Sequence, residues 1–156
     1  MGSGIQDSER TAAAIEYLKQ GRNAHAFLLL TEGGAEKDPA SQFALGLCHF
    51  RAGDFSAAIS CFEQARAMLK AIPAKPEAVE NTATYQKLAI EQIAKKTYLV
   101  PMDLNFCKFF PKAAEQNVLM AMIDTFLEKG MNEQAKRLSS ALIGPVFESY
   151  KKKLME

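Results

Sequence analysis

The chain predicts an all-α fold built from antiparallel helical hairpins, and three observations carry that reading. Residues 40–65 (ASQFALGLCHFRAGDFSAAISCFEQA) place Gly46, Gly53, Ala58 and Ala65 where two antiparallel helices need room to touch, and Phe55 and Phe62 fill the space between them. A ring-bearing residue, a glycine four residues on and an alanine five further recur three times, as Tyr17–Gly21–Ala26, His49–Gly53–Ala58 and Phe126–Gly130–Ala135. No stretch carries a convincing strand pattern.

Start and stop signals place helices at about 8–20, 23–32, 40–52, 55–71, 77–98, 113–129 and 132–155. The loop TEGGAEKD ends the second, and Asp38 followed by Pro39 caps and opens the third. Gly46 lets that helix approach its neighbour because it has no Cβ. Gly53 makes the sharp turn and Asp54 is the N-cap of the fourth helix. Pro73 and Pro76 come late enough for that helix to run long, and Lys75-Pro76-Glu77 opens the next. Gly144-Pro145 should kink the last helix or divide it. Beyond it, Val146, Phe147, Tyr150 and Leu154 keep an apolar stripe while Lys151, Lys152 and Lys153 face water, as a C-terminal solvating helix to residue 155 would.

With Pro39 as its first position, the central hairpin resembles the tetratricopeptide repeat, a helix–turn–helix unit of about 34 residues. Leu45, Gly46, Ala58, Phe62 and Ala65 fall on residues that family prefers. Gln42, His49 and Lys70 depart from it, standing where a large aromatic, a tyrosine and a proline are usual. The resemblance implies a short right-handed helical-repeat solenoid, an α-α superhelix. One repeat cannot bury its own apolar faces, so further copies are expected. The best unit is 39–72, with degenerate copies at about 7–38, 76–111 and 116–149 in a single domain over 5–156. Met1–Gly4 reads as an expression scar.

Composition narrows the function. Hydrophobic residues make up 48% and charged residues 24% of the 156-residue chain, ordinary for one soluble domain. A net charge of +1 gives no general attraction to nucleic acid or anionic membrane. No wholly apolar run, 26–30 included, is long enough to span a bilayer. Three cysteines in apolar surroundings fit buried free thiols in a reducing compartment, so the cytoplasm is expected. His25 and His49 complete no metal-ligand spacing, no phosphate-binding loop follows a strand, and no partner polarises a cysteine. The chain is therefore expected to be no enzyme and to use no metal or cofactor.

What remains is a binding surface. The resemblance implies a protein–protein interaction scaffold that holds a partner peptide or helix on a concave face lined by the first helix of each repeat. By position these residues are Phe43, Ala44, Leu47, Phe50 and Arg51, then Met120, Ala121, Asp124, Leu127 and Glu128. Some relatives grip an acidic tail with Asn and Lys at the places held here by Phe43, Ala44 and Leu47, so that clamp is not supported. The face is apolar, and a charge at Leu47 should weaken binding without unfolding the protein. Helices apolar on so many sides expect a second covering: a partner, a second copy in a homodimer, or part of the chain itself. The intrachain candidate is LVPMDLNFCKFFP (99–111), whose Phe106, Phe109 and Phe110 would serve as core, groove plug or docking element. A self-assembling structural domain and a regulatory fragment of a larger protein are the alternative readings.

Overall fold

Four of the described helices begin where a short polar side chain satisfies a free backbone N–H group. In the computed structural model, which describes residues 3–33, 38–73 and 82–156, Asp38 accepts from the Ser41 N–H at 2.7 Å and opens α3 (Pro39–Arg51). Asp54 accepts from Ala57 N–H at 3.3 Å and opens α4 (Phe55–Lys70). Before them lie α1 (Ser3–Lys19) and α2 (Asn23–Gly33). Thr82 caps α5 (Ala83–Ala94), and Asp103 caps α6 (Leu104–Phe109) by accepting from Phe106 N–H at 2.7 Å. Then follow α7 (Pro111–Glu128), α8 (Asn132–Ser139) and α9 (Glu148–Met155). The described residues contain no strand, so the all-α helical-repeat reading holds.

The recurring ring–glycine–alanine spacing marks one turn built three times. Gly21, Gly53 and Gly130 have φ of 76°, 83° and 76°, the left-handed conformation that ends a helix without Cβ strain. In each case the residue after the glycine donates its N–H to the carbonyl of the ring residue. Arg22 reaches Tyr17 at 2.8 Å, Asp54 reaches His49 at 2.9 Å and Met131 reaches Phe126 at 2.9 Å. The alanine of each set is fully buried, because at that point the returning helix has no room for a longer side chain. The three hairpins are α1/α2, α3/α4 and α7/α8.

They stack in the order α1, α2, α3, α4, α7, α8, with α7 packed directly on α4. The described residues of 71–110, a stretch expected to supply a further repeat at about 76–111, do not sit between them. Among them, α5 packs on the turns at Thr97–Leu99 and Pro145–Phe147, while α6 lies across α3 and α7. Buried chemistry explains the difference: α5 has no buried residue to offer a stack, whereas Val118, Leu119, Ala121 and Ile123 of α7 are buried nearly completely. Residues 77–81 of the helix expected over 77–98 lie outside the described residues. The helix expected over 132–155 is divided in two. It stops at Ser139, where the hydroxyls of Ser139 and Ser140 bond back to the Lys136 and Arg137 carbonyls, and restarts after Gly144-Pro145. At the other end α1 reaches back to Ser3, into residues 1–4 that the sequence reading set apart.

The central core sits between α3, α4 and α7 and gathers Phe43, Leu47, Phe62, Leu69, Val118 and Met122. Phe43 and Phe62 meet with ring centroids 5.3 Å apart. Smaller clusters lie at each end: Leu18, Leu30, Ala44 and Cys48 under the first hairpin, and Tyr98, Leu119, Ile123 and Phe147 under the last.

Candidate protein-interaction site

The sequence assigns five α3 residues to an open groove, and the structure buries three of them. Phe43, Ala44 and Leu47 are at most 1% exposed. Phe43 and Leu47 belong to the central core, and Ala44 to the core beneath α1 and α2. Leu47→Glu would place an unpaired charge in that core, so it probes folding and not binding. Phe50 is half-buried beside Phe55, with ring centroids 5.6 Å apart. Arg51 is committed internally: its Nη1 donates to the Leu18 carbonyl at 2.9 Å and to Asn23 Oδ1 at 2.8 Å. It thereby adds a second donor to a carbonyl in the last turn of α1, which also accepts from Gly21 N–H, and ties the first hairpin to the second.

The α7 residues divide in the same way. Met120, Ala121 and Asp124 are buried; Leu127 and Glu128 are exposed. Asp124 accepts hydrogen bonds from Tyr98 Oη at 2.8 Å and Tyr150 Oη at 3.1 Å, and Lys96 Nζ lies 3.7 Å away. The two tyrosine rings meet edge to face, 6.1 Å between centroids. Burial and the adjacent carboxylate push both phenols well above their usual range. Asp124 is thus a fastening point for the Thr97–Leu99 turn and α9. The signal for this was present: a lone carboxylate in the apolar run VLMAMIDTFL needs buried partners. Which side chains would supply them was not legible.

The chain itself covers the α3–α7 face. Met102 and Cys107 are buried in the same core as Phe43, Leu47 and Val118, with Leu104 and Phe106 packed against it. The three phenylalanines of this segment separate. Phe106 turns inward, whereas Phe109 is 71% and Phe110 42% exposed. Phe106 and Phe110 stay in ring contact at 5.7 Å. Leu127 and Glu128 do not join them, because Phe110 precedes α7 and these residues end it, about 27 Å away along an 18-residue helix.

His49 packs edge to face on Phe27 at 5.6 Å, in the inter-helix place the sequence reading gave it. Cys48, Cys61 and Cys107 are buried free thiols. Burial pushes Cys48 up to about 11 and Cys107 up to about 12, and it raises Cys61 as well. Thiolate is the reactive form, so all three should resist alkylation near neutral pH in the native protein and react fully in denaturant, as counted by intact mass. Native labelling at the denatured rate would contradict this burial. Among the described residues no group of three or more His, Cys, Asp or Glu side chains is placed to hold a metal ion. No helix among them is long and apolar enough to cross a membrane.

A groove of about 550 Å³ that sequence reasoning missed lies between α4 and α8, floored by α7. Its charged residues come from three turns of two helices far apart in the chain, a pattern no local motif reveals.

Stacked hairpins joined by one repeated turn define a helical-repeat protein. Residues 39–70 match the family model of the tetratricopeptide repeat, and this hairpin is one. No curated protein and no solved structure matched the chain. Repeats of this family are non-catalytic and generally mediate protein–protein interaction.

Proposed function

We propose that this chain is a protein–protein interaction module that takes a partner peptide or helix by apolar anchors beside the α3–α7 face. The supporting observation is the exposure of Phe109 and Phe110 at the end of a segment whose other apolar residues, Met102, Phe106 and Cys107, fix it to the core. Two adjacent exposed phenylalanines held on a rigid base can serve as anchors, since rigid aromatic side chains carry much of the energy of protein interfaces. Phe43 and Leu47 then hold the base, Phe106 packs against it, and Met120 and Asp124 serve the C-terminal end of α7. Nothing in this reading calls for nucleic acid, a membrane or a cofactor. The three buried free thiols support a reducing, cytoplasmic setting.

The test is the double variant Phe109→Ser/Phe110→Ser, with both changes on exposed side chains. Helicity by circular dichroism should stay at the wild-type level. A protein captured by the wild type from native lysate should be lost from the variant. Equal capture by both would remove Phe109 and Phe110 as the docking element. A mass that rises with concentration for wild type and not for the variant, read by light scattering, would assign the same side chains to self-assembly.

A further inference from the structure

The groove between α4 and α8 has the composition of a second binding site. Glu63, Arg66, Ala67 and Lys70 come from one face of α4, Gln134, Arg137 and Leu138 from one face of α8, and Met122 and Phe126 from α7 beneath. The floor is apolar: Met122 is buried, and Phe126 and Leu138 are half-buried. Its walls carry Arg66, Lys70 and Arg137 against the carboxylates of Glu63, in the lining, and Glu115, which pairs with Arg66, a net excess of one positive charge. Arg66 is held by Glu115 at 3.1 Å, which fixes its guanidinium at the wall. No ion pair among the described residues engages Lys70 or Arg137, and both are exposed. In a chain whose net charge is only +1, this places a local excess of positive charge around an apolar floor. At about 550 Å³ the space exceeds what one side chain fills and lies within the range of ligand pockets.

We infer that this groove binds an acidic peptide segment of a partner protein, seating one or two bulky apolar side chains on Met122, Phe126 and Leu138 while flanking carboxylates meet Lys70 and Arg137. The inference shares with the proposed function only the premise that the chain binds proteins. It uses a different face, none of whose lining comes from residues 102–110. Charge complementarity selects the occupant: a basic or neutral apolar segment would leave both cations facing nothing, and a purely acidic one would leave the floor exposed.

The probe is a blocked hexapeptide, Glu-Asp-Phe-Leu-Asp-Glu, titrated into the ¹⁵N-labelled protein. Backbone amide shifts are expected to cluster at Ala67, Lys70, Gln134 and Leu138. The affinity should fall about tenfold or more for Lys70→Glu/Arg137→Glu, two exposed changes that leave helicity intact. It should fall similarly when the peptide's Phe-Leu is replaced by Ser-Ser, and it should weaken as salt rises. Phe109→Ser/Phe110→Ser should bind this peptide as wild type does, so that failure here and failure of the docking element are read separately. Three results would each overturn the inference: no shifts at these amides with millimolar peptide, equal binding by the charge-reversed variant, or equal binding of the Ser-Ser peptide, which would reduce the groove to a nonspecific basic surface.

Discussion

Phe62→Ala should lower the unfolding free energy by about 3–5 kcal/mol, the range for deleting a fully buried phenylalanine. Phe62 has no exposed surface and touches three different features of the fold. It stacks on Phe43, it packs in the core that joins α4 to α7, and it presses on the backbone at Gly46. A Cβ at Gly46 would lie 2.6 Å from Phe62 Cδ1, too close for any real contact. Gly46→Ala is therefore also destabilising, by about 1–3 kcal/mol, as expected for overpacking. The informative measurement is the double variant. Once Phe62 is Ala, a methyl group at residue 46 enters the space the ring has left. The two penalties should then fall short of additive by about 1 kcal/mol or more, as read by urea denaturation with circular dichroism. Strict additivity would mean that Gly46 is required for a reason other than this ring.

Asp124→Ala should cost about 3 kcal/mol, because it strips two buried hydroxyls of their acceptor and removes a charge-assisted pair of bonds. The damage should be local. Hydrogen exchange should speed up in α9 and around Tyr98, while α3 and α4 keep their protection. Uniform loss of protection would show that the fastening extends to the whole stack. Asp124→Asn keeps one acceptor oxygen and should cost less. The pH dependence has a defined sign. The folded state raises the pKa of Tyr98 and Tyr150 above the usual phenol value, so it favours their neutral forms. Their contribution is complete below about pH 10, where the unfolded phenols begin to ionise, and is lost as pH rises beyond it. Alkaline unfolding should thus start at the C-terminal end. Phenolate absorbance of these two tyrosines should appear only with that unfolding.

The hairpin at 39–70 was legible because two independent signals coincided: a glycine where helices touch, Gly46, and a glycine where the chain turns, Gly53. The threefold spacing was legible for the same reason, since the left-handed turn and the buried alanine each restrict residue type. The candidate site was legible only in part. Of the residues assigned to the groove, Phe43, Ala44, Leu47, Met120, Ala121 and Asp124 are buried while Leu127 and Glu128 are exposed; apolarity at Phe43 or Leu47 states that something covers them and not what does. The covering came from residues 102–107, whose helix is too short to give a periodic signal. Arg51 reads as an exposed polar residue by position, and only the proximity of the Leu18 carbonyl, 33 residues away, makes it an internal tie. The groove beside Lys70 and Arg137 had no local signature at all.

The hairpin that follows α4 in space does not follow it in the chain. In an unbroken solenoid each unit docks on the one just synthesised, and folding can spread by short steps. Here the α4–α7 contact requires closing a connection that spans residues 71–110. Loop-closure entropy grows only logarithmically, about 0.6 kcal/mol for each doubling of length. The array has thus gained room for a 40-residue excursion at small thermodynamic cost. The kinetic cost is larger, because long-range contacts slow folding more than they weaken the product. The four N-terminal helices, joined by short links, are positioned to form first and to present α4 as the template on which the last hairpin lands.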